Sequence, residues 1–174
     1  MPDLLPQATS RWSNWLGIIG LDLRPYRWWL VGEGRERRGE FTVDHLVRGG
    51  DLTIGASRYS MKRRRSGLRD TTFTLSAASG QPLASGAQRM RGLMTRETTL
   101  EVRGQTFVLC GPKRSLRLVG GDRRCVGSLE IESMGWTVRQ SLGRLRFEQA
   151  FGEPEQVFLF WLALYRDLVR SEGD

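Results

Sequence analysis

Cysteine, histidine and lysine are all scarce in this chain, and each shortage closes off a class of chemistry. Among 174 residues there are 2 cysteines and 1 histidine. Cys110 and Cys125 are too few for a disulfide framework, and they are expected as thiols packed as small core residues. Because His45 is the lone imidazole, a His-rich metal site is excluded and a Ser-His or Cys-His pair would have to use that residue. A surface histidine beside Asp44 is the simpler reading. Nucleotide and hydrolase signatures are missing as well. Gly32-Glu33-Gly34 lacks the third glycine of a dinucleotide loop and runs into charged residues rather than a helix. Gly55-Ala56-Ser57 is followed by Tyr59 where a nucleophile elbow needs glycine, and there is no P-loop. The carboxylates are scattered, with Glu130 and Glu132 sharing one strand's outer face as salt-bridging surface groups. No enzymatic activity, cofactor or metal is expected.

Lysine occurs only at Lys62 and Lys113 among 27 basic residues, so arginine carries the net charge of +8. Such one-sided usage looks like codon bias rather than selection for phosphate. The charge therefore admits nucleic acid, an anionic membrane or an acidic partner without choosing among them. Long apolar runs are absent too. The longest, Val157 to Tyr165, is nine residues, well short of the roughly 20 that a membrane span needs. The N-terminus has no basic n-region, and Gly17, Gly20 and Asp22 interrupt Trp15 to Leu23, so neither a signal peptide nor an anchor is read and the cytoplasm is the expected compartment.

What is present is organised around that short run. Val157-Phe158-Leu159-Phe160-Trp161-Leu162-Ala163-Leu164-Tyr165 is apolar on every face, which a surface helix never is. Pro154 suits a first turn, Glu148, Glu153 and Glu155 complement the positive end of the helix dipole, and Arg166 and Arg170 complement the negative end. The spacing predicts a buried helix over 155–170. Burying its large side chains at about 1.5 to 3 kcal/mol each is worth on the order of 10 to 20 kcal/mol.

Upstream, residues 1–10 hold two prolines and no period, and are expected as a loose arm. Trp12, Trp15, Leu16 and Ile19 then follow the spacing of a short amphipathic helix. It either caps an open end of the core or lies against a membrane interface or a partner. From Trp28 onward the period is two. Hairpins are read at Trp28–Gly32 with Gly39–Asp44, at Leu52–Ile54 with Arg58–Lys62 after a turn at Gly49-Gly50, and at Thr72–Leu75 with Leu83–Gln88. Three more follow: Leu100 and Val102 with Thr106–Cys110 across a type II′ turn at Gly104-Gln105, Leu116 and Leu118 with Val126–Ile131, and Trp136 and Val138 with Leu145 and Phe147 across Ser141–Gly143. Phe73-x-Leu75 and Leu116-x-Leu118, each followed by a glycine turn and a small-residue strand, form a weak internal repeat.

About twelve short strands and one all-round apolar helix fit each other, since a helix with side chains is about 10 to 12 Å across and needs a wall wider than eight strands provide. The expected fold is mainly β: a closed antiparallel barrel of roughly twelve strands enclosing the hydrophobic C-terminal helix, with a short N-terminal helix. The arm and short helix take residues 1–27 and the barrel residues 28–174.

On this hairpin rhythm, the glycine-turn repeat and the Val157–Tyr165 run, the chain resembles the tubby C-terminal-like superfamily, which includes tubby proteins, phospholipid scramblases and LURP-one-related proteins. The resemblance covers residues 28–170 and implies a twelve-stranded barrel threaded by its last helix. Tubby proteins bind phosphoinositide headgroups with a Lys-x-Arg sequence at a strand end; Lys62 and Arg64, followed by Ser66–Asp70 and Phe73-Thr74-Leu75, are similar in kind. The chain is shorter than tubby and lacks its long basic insertions.

Lys62-Arg63-Arg64-Arg65, with Arg58 and Arg69 nearby, is the one concentrated charge. Carried on a hairpin tip, it would hold phosphate oxygens by charge-assisted hydrogen bonds; as a solvated loop, it would only keep the protein soluble. Three functions remain open: a non-enzymatic module for anionic lipid headgroups or a membrane surface, with Trp12 and Trp15 as a second contact; a protein-interaction scaffold; and a nucleic-acid binder. The last requires exposed aromatics, whereas Trp28, Trp29, Phe73, Phe107, Trp136 and Phe147 fall in alternating strands and are expected in the core.

Overall fold

The computed structural model describes residues 3–6, 25–32, 34–44, 47–66, 70–91, 95–112, 115–133, 141–147 and 151–171. Twelve strands form one closed antiparallel barrel. In chain order they are β1 (Asp3–Pro6), β2 (Tyr26–Val31), β3 (Arg37–Val43), β4 (Gly49–Ile54), β5 (Ser57–Ser66) and β6 (Asp70–Ala77). β7 (Pro82–Arg91), β8 (Thr95–Val102), β9 (Gln105–Cys110), β10 (Ser115–Gly120), β11 (Cys125–Ser133) and β12 (Ser141–Phe147) complete the wall, and the helix α1 (Glu153–Ser171) follows. Neighbours in sequence are neighbours in the sheet, except that β1 sits between β12 and β2 and closes the ring. Closure leaves no sheet edge for another chain to pair with.

The helix is the filling. Every residue from Val157 to Tyr165 is buried, and the rings it carries meet rings from widely spaced strands. Phe160 packs edge-on to Trp28 at 5.5 Å and to Phe41 at 6.3 Å, while Trp161 packs edge-on to Phe73 at 5.6 Å. Where the helix comes nearest the wall, the inward residue is small. A Cβ added to Gly86 would stand 3.5 Å from Leu162, and one added to Gly143 would stand 2.6 Å from the Phe160 ring. The backbone of α1 begins with a bond from Gln156 N–H to the Gly152 carbonyl. Glu153 and Glu155 occupy the first turn, where Arg38 holds Glu153 and Arg103 holds the buried Glu155 at 3.2 Å. These two pairs fasten the start of the helix to the entry rim, the end of the barrel that carries the β2–β3, β4–β5, β6–β7, β8–β9 and β10–β11 hairpin turns.

Several local expectations are corrected. Residues 1–10 are not simply an arm, because Asp3–Pro6 is the closing strand, with Leu4 fully buried in the core. The barrel therefore begins before residue 28. Gly49-Gly50 opens β4 rather than turning the chain, and the β4–β5 turn lies at Gly55-Ala56. The β8–β9 turn is centred on Arg103-Gly104, with φ of 51° and 76°; positive values at both positions make it type I′, the two-residue turn whose twist matches the strands. Ser141–Gly143 belongs to β12, which pairs directly with β11. Cys110 and Cys125 are exposed, not core. Phe107 and Leu109 take the inward positions of β9, so alternation sends Cys110 outward. The expected N-terminal helix with Trp12 and Trp15, the strand with Trp136 and Val138, and His45 lie outside the described residues.

Candidate functional site

Period-two alternation splits the basic cluster across the barrel wall. Lys62 to Arg65 are consecutive residues of β5, so they lie along a strand rather than on a hairpin tip. Met61 is inward and buried, which turns Lys62 and Arg64 outward and starts Arg63 and Arg65 on the inner side. The register agrees: Arg63 stands opposite Phe73 and Arg65 opposite Thr71, both buried. All four are at the far rim, opposite the point where α1 enters. The Arg63 guanidinium lies over the Tyr165 ring at 4.7 Å to the centroid, beside the C-terminal half of the helix, where the dipole favours cations.

One residue and one row add to the cluster that the sequence did not single out. Arg48, exposed, accepts the Arg63 N–H on its carbonyl at 2.8 Å, bringing a fifth basic side chain to the same rim. At the mouth, Arg65, which is exposed, shares one register row with Thr71, Gln88 and Thr98 across β5 to β8. Thr71, Gln88 and Thr98 are all buried, and Gln88 Nε2 donates to Thr98 Oγ1 at 3.4 Å. The apolar core therefore ends in a polar layer at this mouth. The signal was in the alternation: Phe73 and Leu75, Ala84 and Gly86, Leu100 and Val102 point inward, and the next inward position toward the rim is a threonine or a glutamine in each strand.

Among the described residues, acidic groups also reach this end of the barrel. Asp44 accepts backbone N–H from Arg48 at 3.1 Å and Gly49 at 2.6 Å, which pins the β3–β4 connection. Asp70 stands opposite Ser66 and next to Arg89 in the register. Beside Lys62 and Arg64 the outer wall continues as a shallow shelf that includes Thr72, Thr74, Ser85, Ala87 and Thr99 and carries one charged residue, Glu101. Thr72 Oγ1 donates to the Arg64 carbonyl at 3.2 Å.

Arg58 is not part of this site. It begins β5 next to the entry rim, opposite Thr53, and four residues of strand, about 13 Å, separate it from Lys62. Arg69 lies outside the described residues. Trp28, Phe73, Phe107 and Phe147 are buried, whereas Trp29 faces outward and is covered by the Arg37 guanidinium. Glu132 pairs with Arg144 at 2.9 Å across the outer face of β11 and β12. Among the described residues, no group of three or more His, Cys, Asp or Glu could hold a metal ion, and no helix is long and apolar enough to cross a membrane.

Comparison of the chain with protein-family models, with curated proteins and with solved structures gave no match.

Proposed function

We propose that this protein is a non-enzymatic, cytoplasmic module that attaches peripherally to anionic lipid headgroups through the far rim of its barrel, and that it stands beside the tubby C-terminal-like superfamily. The observation that carries the reading is the fan of basic residues at that rim. Lys62 and Arg64 lie outside the wall, Arg63 and Arg65 start inside it next to the polar row of Thr71, Gln88 and Thr98, and Arg48 adjoins them. Clustered arginines bind phosphate oxygens by paired, charge-assisted hydrogen bonds. At about 1 kcal/mol per basic residue near an anionic surface, five give roughly 5 kcal/mol, a weak, reversible, sub-millimolar attachment. The twelve-stranded wall around a C-terminal helix is the architecture that the superfamily resemblance implies. Burial of Trp28, Phe73, Phe107 and Phe147 removes four of the rings a single-stranded nucleic acid would stack on.

Co-sedimentation with phosphatidylcholine vesicles, with and without phosphatidylserine, tests the proposal. Binding is expected only with the anionic lipid, and the double substitution Lys62→Glu, Arg64→Glu is expected to abolish it. Equal sedimentation with neutral vesicles would count against the reading and favour a protein-interaction scaffold.

A further inference from the structure

A second concavity lies on the outside of the wall, at the seam where β1 is wedged between β12 and β2. β1 spans four residues beside strands of six and seven, and around it the surface dips into a groove of about 590 Å³. That volume lies within the roughly 300 to 1,000 Å³ of small-ligand sites. With Leu4 turned into the core, Asp3 and Leu5 face outward. The register sets Asp3 between Arg144 and Val31, and Leu5 opposite Trp29.

The groove is graded along its length. Toward the entry rim it is lined by Arg144, Arg146 and Arg35, and farther along by Leu5 and Leu142. Arg146 pairs with Asp3 at 3.1 Å, and Arg144 with Glu132 at 2.9 Å. Arg35, on the β2–β3 turn, has no acidic partner among the described residues. With Arg146 held by Asp3 and Arg144 by Glu132, Arg35 is the lining arginine whose charge no described acidic group balances. Arg35 also holds a φ of 61°, a left-handed conformation that costs a non-glycine residue about 1 kcal/mol or more. Glycine would serve that turn without strain, yet the position carries a guanidinium at the charged end of a groove whose other end is apolar.

We propose that this groove seats a single-chain anionic amphiphile, its carboxylate held by Arg35 and the neighbouring arginines and its alkyl chain laid on Leu5 and Leu142. The lining mixes charge with apolar surface, Asp3, Arg35, Arg144 and Arg146 beside Leu5, Val31 and Leu142, so an anionic group would be met by arginine forks and a chain by the leucines and valine. It is separate from the basic far rim and does not rest on membrane attachment there.

Isothermal titration calorimetry with monomeric decanoate tests it, with acetate as the probe without a tail and decyltrimethylammonium as the probe of opposite charge. Decanoate is expected to bind saturably at one site per chain, and the other two are not. Arg35→Gly, which suits the local backbone and so keeps the fold, is expected to weaken decanoate about tenfold. Arg35→Lys, which retains the charge, is expected to lose less. Arg117→Ala, removing an exposed arginine elsewhere on the wall, is expected to change nothing. Absence of decanoate binding, equal binding of acetate, or undiminished affinity in Arg35→Gly would each overturn the assignment.

Discussion

The guanidinium of Arg63 lies 4.7 Å from the centroid of the Tyr165 ring, so one member of the basic strand is attached directly to the helix that fills the barrel. Through Tyr165, which also meets Phe73 at 5.1 Å, the candidate binding rim and the core share a residue. A cation over an aromatic face is worth about 0.5 to 1 kcal/mol at a partly exposed site. A double-mutant cycle of Arg63→Ala and Tyr165→Leu, followed by urea unfolding, is expected to give a coupling energy of that size. Strictly additive losses would show that the two side chains act independently.

The wall at β12 is fitted to the helix at a single glycine. Gly143→Ala places a Cβ 2.6 Å from the Phe160 ring and 3.3 Å from Leu4, and overpacking of this kind costs about 1 to 3 kcal/mol. Gly121→Ala meets nothing within 4 Å and is expected to be near neutral. Combining Gly143→Ala with Phe160→Leu is expected to recover part of the loss. Chemical denaturation of the four proteins reads all three outcomes.

Closure by β1 makes an N-terminal leucine a core residue. Leu4→Ala is expected to lower stability by about 2 to 5 kcal/mol, as buried leucine truncations do, whereas Leu5→Ala on the outer face is expected to cost under about 1 kcal/mol. Similar thermal shifts for the two variants would mean that β1 does not hold its register.

Both thiols are exposed in the folded chain. A thiol-reactive dye in native buffer is therefore expected to label 2 sulfhydryls per chain, all that the sequence contains, without denaturant. Slow labelling that accelerates on unfolding would place them inside.

The fold was largely legible because its two signals are long-range regularities. The Val157–Tyr165 run has no polar face, and the alternation from Trp28 to Phe147 persists for most of the chain, so barrel and filler could be read together. The strand total matched for a partly different reason. One strand comes from Asp3–Pro6, four residues too short to display a period and containing a proline, while the strand read around Trp136 lies outside the described residues. Turn centres slipped by a residue or two because glycine marks a turn without fixing its type: Arg103, not Gln105, shares the β8–β9 turn with Gly104. The cysteines went wrong because size and polarity do not decide which side of the wall a residue faces; position in the alternation does. The basic cluster was visible as composition. Its division into outward Lys62 and Arg64 and, on the inner register, Arg63 and the exposed Arg65 required only that the alternation of Tyr59 and Met61 be continued, whereas the adjoining Arg48 comes from a separate connection that local pattern cannot place.

Asp3 and Arg146 are hydrogen-bonded although 143 positions separate them, and the helix lies beyond both in chain order. During synthesis the socket therefore leaves the ribosome before its plug does. Until residues 153–171 emerge, the inner faces of Trp28, Phe41 and Phe73 have nothing to wrap. Assembly thus depends on residues made after the whole wall, and a nascent chain stalled before them would hold a set of greasy hairpins with no filler.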